Sequence, residues 1–218
     1  MATVRIFETI LPDDVCVAEG DPRLASSPLF PEERRLVERA VEKRQREFAK
    51  GRECARSALA QLGVEPCQVL SGPRREPLWP SGVVGSITHT AEFCAAVVAS
   101  GRAYAGIGVD AEPDEPLAED LLEAVGVAEE LVVRCSPGFP RNGVARLLFS
   151  AKEAFFKCQY PLTRAFLEFR EVTVELKSDG TFCTRVLAPR FPELRAVQGR
   201  WRRTGGLLLT SAWIARAR

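Results

Sequence analysis

Apolar residues in the first third of the chain recur at the spacing of an α-helix. Between residues 31 and 63 they fall at steps of about 3.6 residues or its multiples, at Val37, Val41, Phe48, Ala55, Leu59 and Leu62. A proline at the beginning and a glycine at the end bound this helical region. Gly51 lies inside it and predicts a division into two helices.

Runs of branched and small residues follow the helical region and predict strands. They are VVGSITHT, FCAAVVAS and, after a Gly-Arg turn, AYAGIGVDAE. Residues 117–131 and 144–158 predict helices. EVTVEL, TFCTRVL, GRWRRT and LLLTSAWIA predict four further strands separated by turns. Each half is therefore helical and then stranded, which predicts an α/β (α+β) fold with halves 1–103 and 104–218.

Composition excludes several classes of protein. The 218 residues are 46% hydrophobic and 27% charged, which is typical of a folded globular protein rather than a disordered or fibrous one. A formal net charge of +1 gives no strong overall attraction to nucleic acid or an anionic membrane. His89 is the only histidine, so a catalytic metal would require carboxylate ligands. Seven scattered cysteines without a C-x-x-C pair, and no signal peptide or membrane span, predict a cytoplasmic protein.

The net charge conceals strong local segregation. Residues 34–56 carry nine Lys or Arg and four Glu, residues 110–130 carry nine acids and no base, and residues 185–218 carry eight Arg and one Glu. Any polyanion would therefore be bound locally. The basic 34–56 segment has an alternative interpretation as a solvated helix face, and a nucleic-acid-binding protein that uses this helix is a further hypothesis.

Two carboxylates fall at the end of the third predicted strand. Side chains two apart share one face of a strand, so Asp110 and Glu112 point the same way. Mg²⁺ accepts one or two carboxylates together with water and phosphate oxygens. The alternative is a strand that runs out into an acidic, solvated loop.

The predicted helix over residues 144–158 contains two of the few lysines in the chain. Glu153 and Lys157 are four apart and share a face, which also fits a simple surface ion pair. Yet Lys152 and Lys157 are two of only five lysines, in a chain with 25 arginines. A compact ammonium serves as a point-charge phosphate ligand, so the choice of lysine favours a specific role.

Two segments of the first half offer groups that bind anions. The run from Ser86 through Thr88 to His89 combines hydroxyls with an imidazole, although a lone histidine is also common as a structural residue. Arg52 and Arg56 share a helix face that could clamp a phosphate. The chain contains no Walker or dinucleotide glycine loop.

Taken in order, these segments resemble the 4′-phosphopantetheinyl transferases, specifically the larger, monomeric class typified by activators of surfactin and enterobactin synthesis. The resemblance runs through KRQREFAKGRECARSALAQLG, GPRREPLWP, GVVGSITHT, GIGVDAEP and LLFSAKEAFFKCQYPLT. It implies a pseudo-twofold pair of similar α/β halves, with coenzyme A in the cleft between them and Mg²⁺ on its pyrophosphate.

Site roles are implied position by position. Asp110, Glu112 and Glu153 match the magnesium ligands, and Glu153 could instead act mainly as the base. Lys157 matches a lysine against the pyrophosphate, with Lys152 as a neighbouring contact of coenzyme A. The resemblance thus assigns catalysis to Glu153, Lys157 and His89.

The remaining contacts implied for coenzyme A lie in the first half. His89, with Ser86 or Thr88, would contact a phosphate. The 3′-phosphate would be gripped by Arg44, Arg52 and Arg56, and the adenosine would lie near Arg74, Arg75, Glu76 and Pro77.

The reaction that the resemblance implies is attack by a serine hydroxyl of an acyl or peptidyl carrier protein on coenzyme A, with 3′,5′-ADP leaving. It implies partners in polyketide, nonribosomal peptide or fatty-acid synthesis, including antibiotic or siderophore production, and neither nucleic acid nor a membrane. A family member that binds coenzyme A without catalysis is the main alternative.

Overall fold

The structure, a computed structural model, describes residues 5–125, 141–187, 194 and 197–217. Contacts divide the chain into two units, Met1–Ile107 with Ala215–Arg218, and Gly108–Ile214. The division falls inside a single strand, four residues after the position expected from the sequence. Both units combine helices with antiparallel strand pairs, so the fold belongs to the predicted mixed α/β class. The pseudo-twofold relation of the halves stays a prediction.

The first unit combines one long helix with a three-stranded sheet. A 3₁₀ turn, Ile6–Ile10, precedes β1 (Cys16–Gly20), α1 (Pro31–Arg35), α2 (Glu42–Gln61), β2 (Leu70–Ser71), β3 (Pro77–Leu78), β4 (Val83–His89) and β5 (Cys94–Ser100). The sheet order is β1-β5-β4, and β2 and β3 form a separate hairpin. The strands expected from VVGSITHT and FCAAVVAS are confirmed as β4 and β5.

The predicted helix division at Gly51 is wrong. The helical region is interrupted earlier, between α1 and α2, and α2 runs continuously through Gly51. The glycine serves packing instead, since a Cβ there would lie 3.2 Å from Ile87 Cγ2 on β4. The buried stripe of α2 covers the sheet through Cys54, Ala55, Ala58 and Leu59.

The second unit begins inside β6 (Tyr104–Pro113), the strand expected from AYAGIGVDAE. There follow a 3₁₀ turn at Glu119–Leu121, α3 (Leu122–Val125), α4 (Arg141–Thr163), β7 (Val172–Leu176), β8 (Thr181–Val186), β9 (Val197–Thr204) and β10 (Leu207–Ala215). These confirm the helix predicted over 144–158 and the four C-terminal strands. The helix predicted over 117–131 is present only as two short turns up to Val125, and its remainder lies outside the described residues.

The long helix α4 covers one face of a five-stranded sheet with the order β6-β10-β9-β8-β7. Its buried residues include Leu147, Leu148, Ala151, Ala154 and Phe155. Gly108 brings β6 against the helix backbone, because a Cβ there would lie 1.9 Å from the Ala154 carbonyl oxygen. Among the described helices, none has the length and apolar character needed to cross a membrane.

Candidate functional site

One face of α4 carries four polar residues at helical spacing. Arg146, Ser150, Glu153 and Lys157 follow one another at steps of four, three and four, so their side chains project in similar directions. Three of them bond directly to carboxylates near the end of β6. The packing of α4 on β6 therefore assembles a charged cluster from two segments some forty residues apart.

Asp110 lies at the centre of this cluster and is almost fully buried. Its Oδ1 accepts a hydrogen bond from Lys157 Nζ at 2.6 Å, and its Oδ2 accepts one from Ser150 Oγ at 2.9 Å. Lys157 Nζ also donates to the carbonyl of Val109 at 3.3 Å. The surface ion pair of Lys157 with Glu153 was the alternative that the helical spacing left open, whereas the structure bonds the Lys157 ammonium to Asp110.

Glu112, two residues further along β6, is paired with an arginine that the sequence analysis did not identify. Arg146 Nη1 lies 2.8 Å from Glu112 Oε2, and the same guanidinium donates to the carbonyls of Glu115 and Pro116. Burial raises the pKa of Glu112, and the negative charge of Asp110 raises it further, against the opposing effect of Arg146. Burial therefore contributes more to the raised pKa of Glu112 than any neighbouring charge does.

Glu153 borders a pocket of about 350 Å³ in the second unit. Phe156, Phe166 and Phe169 supply much of its apolar wall. Burial raises the pKa of Glu153, the Lys157 charge opposes this, and the Asp110 charge adds to it. A carboxylate with a raised pKa beside an open pocket is suited to accept a proton from a bound hydroxyl.

The donor set fits a hard divalent cation. Asp110, Glu112 and Glu153 offer only carboxylate oxygens, and Mg²⁺ takes one or two of these with water and phosphate oxygens. Burial is the main cause of the raised pKa values of Glu112 and Glu153, and a bound divalent cation would favour their charged forms. Within the described part of the chain, no three His, Cys, Asp or Glu side chains are already arranged as a metal site.

Lys152 does not join the cluster. It lies about a third of a turn away from the face of Glu153 and Lys157. Its side chain is buried, and Nζ donates to the carbonyl of Phe169 at 2.9 Å. This contact anchors the segment after α4, so the structure supports a structural role for Lys152, and its contact with coenzyme A stays a prediction.

A second group of charges lies in the first unit at the end of β4. Arg44 Nη1 is 2.7 Å from His89 Nε2, and Glu47 Oε2 lies 3.6 Å from Arg44 Nη1 and 3.8 Å from His89 Nδ1. Because a guanidinium can only donate, Nε2 must accept, which places the proton of a neutral His89 on Nδ1, towards Glu47. Arg44 and His89 are both partly exposed, so an anion can approach them.

Ser86 and Thr88 lie on the opposite face of β4 from His89. Both hydroxyl side chains are buried, whereas Ile87, on the face of His89, packs towards α2. The alternation of side chains along a strand causes this separation. The three residues therefore do not form one side-chain cluster, and contacts of Ser86 and Thr88 with coenzyme A stay predictions.

The arginines predicted to form a phosphate clamp on α2 have different surroundings. Arg52 is buried over the ring of Phe48, donates to Ser71 Oγ at 2.9 Å, and its Nε has no hydrogen-bond partner. Burial lowers the pKa of Arg52 to about 10, so it stays charged at neutral pH. Arg56 instead forms an ion pair, at 3.0 Å, with the fully buried Glu33. Of these two side chains, only Arg52 retains an unused buried donor.

The predicted adenosine contacts form the turn between β2 and β3. The Gly72 amide donates to the Glu76 carbonyl and the Arg75 amide to the Gly72 carbonyl. The Glu76 carboxylate accepts from the Arg74 amide at 2.9 Å, which closes the turn from inside. Arg75 has a left-handed backbone with φ of 65°, and Arg74 and Arg75 are both exposed. Pro77 begins β3, so Glu76 and Pro77 shape the turn while the arginines remain accessible.

A larger cavity in the first unit contains none of the predicted site residues. It has about 450 Å³ and lies between residues 23–29 and the beginning of α2. Its charged residues include Arg23 and Arg46, which form ion pairs with Asp21 and Glu42. Size alone therefore does not identify the functional site.

Three residues of the site, Arg146, Ser150 and Thr210, were not predicted from the sequence. Helical spacing could have identified the first two, because they lie on the face that carries Glu153 and Lys157. Thr210 lies on β10, sixty residues from Ser150, with its hydroxyl 2.8 Å from Ser150 Oγ. No pattern in the sequence connects these two hydroxyls.

Comparison with known families extends over both units. The family model described as the 4′-phosphopantetheinyl transferase N-terminal domain matches residues 32–99. The model of the 4′-phosphopantetheinyl transferase superfamily matches residues 106–204. The second match contains the whole charged cluster of β6 and α4, whereas Thr210 lies beyond it.

Individual proteins are similar along most of the chain. The 4′-phosphopantetheinyl transferase Svp of Streptomyces mobaraensis is 44% identical, over 87% of this chain and 80% of Svp. The transferase PptT of Mycobacterium tuberculosis is 38% identical, over 97% of this chain and 99% of PptT. The transferase Npt of Nocardia iowensis is 38% identical, over 94% and 98% of the two chains.

Proposed function

Because this chain belongs to the 4′-phosphopantetheinyl transferase superfamily, we propose that it transfers the 4′-phosphopantetheine arm of coenzyme A to a serine of an acyl or peptidyl carrier protein. The reaction depends on Mg²⁺ and releases 3′,5′-ADP. The bond that forms joins the serine oxygen to the β-phosphorus of coenzyme A. The bond that breaks joins this phosphorus to the oxygen that leaves with 3′,5′-ADP.

The buried contact of Asp110 with Lys157 and Ser150 carries this proposal. A carboxylate held by an ammonium and a hydroxyl, with Glu112 and Glu153 nearby, provides both oxygen ligands for a cation and a positive group for phosphate oxygens. Lys157 remains partly exposed, so its ammonium can reach a bound pyrophosphate while Asp110 orients it. A simple surface ion pair would not need the buried serine.

Each side chain has a distinct part in the transfer. Glu153 accepts the proton of the attacking serine, for which its raised pKa is suited. Lys157 stabilises negative charge that develops on the phosphate oxygens. When bound, Mg²⁺ supplies further neutralisation of the pyrophosphate charge. Arg146 keeps Glu112 in place through its ion pair.

The carrier serine comes from a partner protein. The proposed partners are carrier domains of polyketide, nonribosomal peptide or fatty-acid synthases, and the transferase acts as a monomer. Carriers of these three types are therefore the substrates to test. The basic stretch after residue 185 stays one candidate for docking an acidic carrier surface.

The deciding experiment is mass spectrometry of apo carrier proteins after incubation with the enzyme, coenzyme A and Mg²⁺. We expect each accepted carrier to gain the mass of one phosphopantetheine, and a carrier with its acceptor serine changed to alanine to gain nothing. EDTA should stop the reaction and added Mg²⁺ should restore it. Unmodified carriers of all three types, at high enzyme concentration, would contradict the proposed function.

Arg44 provides a test of 3′-phosphate recognition. Arg44→Gln should weaken coenzyme A binding about tenfold or more, since a hydrogen bond to a charged group contributes roughly 1.5–3 kcal/mol. Dephospho-coenzyme A, which lacks the 3′-phosphate, should bind the variant and the wild type equally. Isothermal titration calorimetry measures both. Arg44 is preferred to Arg52 because Arg52 is buried and its removal would also disturb packing.

Arg46→Gln is the matched control for this prediction. Arg46 lies two residues away on α2 and pairs with Glu42 instead of approaching His89. Its removal changes the net charge by the same amount and should leave coenzyme A binding within about twofold. If Arg44→Gln weakens the binding of coenzyme A and of dephospho-coenzyme A equally, Arg44 does not contact the 3′-phosphate.

A further inference from the structure

Two buried hydroxyls connect Asp110 to the middle of the second unit. Ser150 Oγ lies 2.9 Å from Asp110 Oδ2 and 2.8 Å from Thr210 Oγ1. Thr210 Oγ1 in turn lies 2.9 Å from the carbonyl oxygen of Ser150. Ser150 and Thr210 are fully buried and Asp110 nearly so, which means that water does not replace these contacts.

The number of hydroxyl protons determines which oxygen donates in each of these hydrogen bonds. The two hydroxyls have two protons for three short contacts. Asp110, as a carboxylate beside Lys157, only accepts, so the Ser150 proton is directed at Oδ2. The Thr210 proton is then shared between the oxygen atoms of Ser150, its carbonyl and its hydroxyl. The reverse order would leave a lone pair of Ser150 against a buried carboxylate oxygen, which is unfavourable.

Side chains of α4 therefore hold both carboxylate oxygens of Asp110 in place by hydrogen bonds. Lys157 holds Oδ1 and Ser150 holds Oδ2, seven residues apart on the same helix face. Two bonds from one rigid helix fix the plane of the carboxylate. Thr210, on the neighbouring strand β10, fixes the rotamer of Ser150.

We propose that Ser150 and Thr210 are positioning residues, whose hydroxyls form a relay that orients the Asp110 carboxylate towards the divalent cation. This inference rests on the proposed function for the identity of the cation site. Neither hydroxyl is assigned contact with coenzyme A or with the reacting phosphorus. Their effect is to keep Asp110 in one orientation, which saves the cost of ordering it when the cation binds.

The test uses Mn²⁺ as the probe cation, titrated into the full chain with coenzyme A and without carrier protein, and followed by electron paramagnetic resonance. Ser150→Ala should weaken Mn²⁺ binding about tenfold, because it removes a hydrogen bond to a charged group. Thr210→Val should weaken it less, about threefold, because its hydroxyl acts through Ser150. Thr210→Ser, which keeps the hydroxyl, should bind Mn²⁺ as the wild type does.

Thr184→Val is the matched control. Thr184 is also a fully buried threonine of the same sheet, and its hydroxyl donates to the Val197 carbonyl at 3.2 Å, with no bond to Asp110. Its removal should leave Mn²⁺ affinity unchanged. If Thr184→Val and Thr210→Val lose similar Mn²⁺ affinity, the loss is caused by altered packing and not by the hydroxyl contact with Ser150. That result would overturn the proposal.

A double-mutant comparison separates positioning from general stability. In an Asp110→Asn background, Ser150→Ala should cause no further loss of Mn²⁺ affinity, because the group that it orients is already altered. A second tenfold loss would overturn the proposal, as would wild-type Mn²⁺ affinity in Ser150→Ala, or no binding of Mn²⁺ by the wild-type chain. Failure of the proposed function has a different signature: the wild type would bind Mn²⁺ and rank the variants as expected, yet modify no carrier.

Discussion

Asp110→Asn is expected to lower kcat/KM for transfer to a carrier by about 100- to 1,000-fold, the range observed when one preorganised electrostatic group is removed from an active site. Asparagine keeps the shape of the side chain, but its single amide oxygen can accept from only one of Ser150 and Lys157. It removes the negative charge, which both a divalent cation and the Lys157 ammonium require. The measurement is the initial rate of carrier modification at saturating Mg²⁺, followed by mass spectrometry.

Asp114→Asn is the matched control for this loss of charge. Asp114 follows β6 within the same acidic segment, but its ion pair is with Arg203 instead of a residue of α4. Its variant should retain transfer within about threefold, since exposed ion pairs contribute little. A rate for Asp110→Asn within threefold of the wild type would contradict the assignment of Asp110 to the site. A large fall in melting temperature would indicate misfolding instead.

Among glycine-to-alanine changes in the described part of the second unit, Gly108→Ala is expected to destabilise the fold most. The added Cβ would lie 1.9 Å from the Ala154 carbonyl oxygen and 2.5 Å from the Cys158 amide nitrogen. Both atoms belong to the backbone of α4, so no side chain can rotate away. Overpacking of this kind costs about 1–3 kcal/mol and sometimes more. We expect the upper end, which lowers the melting temperature by roughly 6–12 °C in a domain of this size.

Transfer activity should fall together with stability in Gly108→Ala. The shift that relieves the clash moves α4 away from β6, and with it Ser150 and Lys157 away from Asp110. Gly51→Ala is the contrasting variant. Its Cβ would lie 3.2 Å from the Ile87 methyl and 3.8 Å from Cys94 Sγ, both side-chain atoms, and alanine favours a helix interior, so stability should change by about 1 kcal/mol or less. Equal melting temperatures for Gly108→Ala and the wild type would contradict the close approach of β6 and α4.

Local sequence patterns were sufficient for much of the fold. The strands β4 to β10 and the helix α4 correspond to segments predicted from residue type and spacing, because branched residues favour strands and a helix buries residues at a regular repeat. The same reasoning failed at Gly51. A glycine is compatible both with a break and with a close contact, and only the position of β4 beneath α2 decides between them.

The candidate site could be predicted as a set of residue types, but its pairings could not. Strand alternation placed Asp110 and Glu112 on one face. In the structure each carboxylate pairs with a different basic side chain, Asp110 with Lys157 and Glu112 with Arg146. Helical spacing alone left a surface ion pair of Glu153 with Lys157 open as one alternative. A nearer, buried carboxylate from another element binds the lysine instead.

Which residues share a face could be predicted from the sequence, because the geometry of a helix or strand depends only on its own backbone. On that basis the sequence placed Glu153 with Lys157, and Asp110 with Glu112. The partner of each face follows from the packing of the folded chain: Lys152 bonds to the Phe169 carbonyl, Lys157 to Asp110, and Ser150 to a threonine sixty residues away. These contacts depend on how α4, β6 and β10 pack, and this packing is governed by the burial of the whole core rather than by any local pattern.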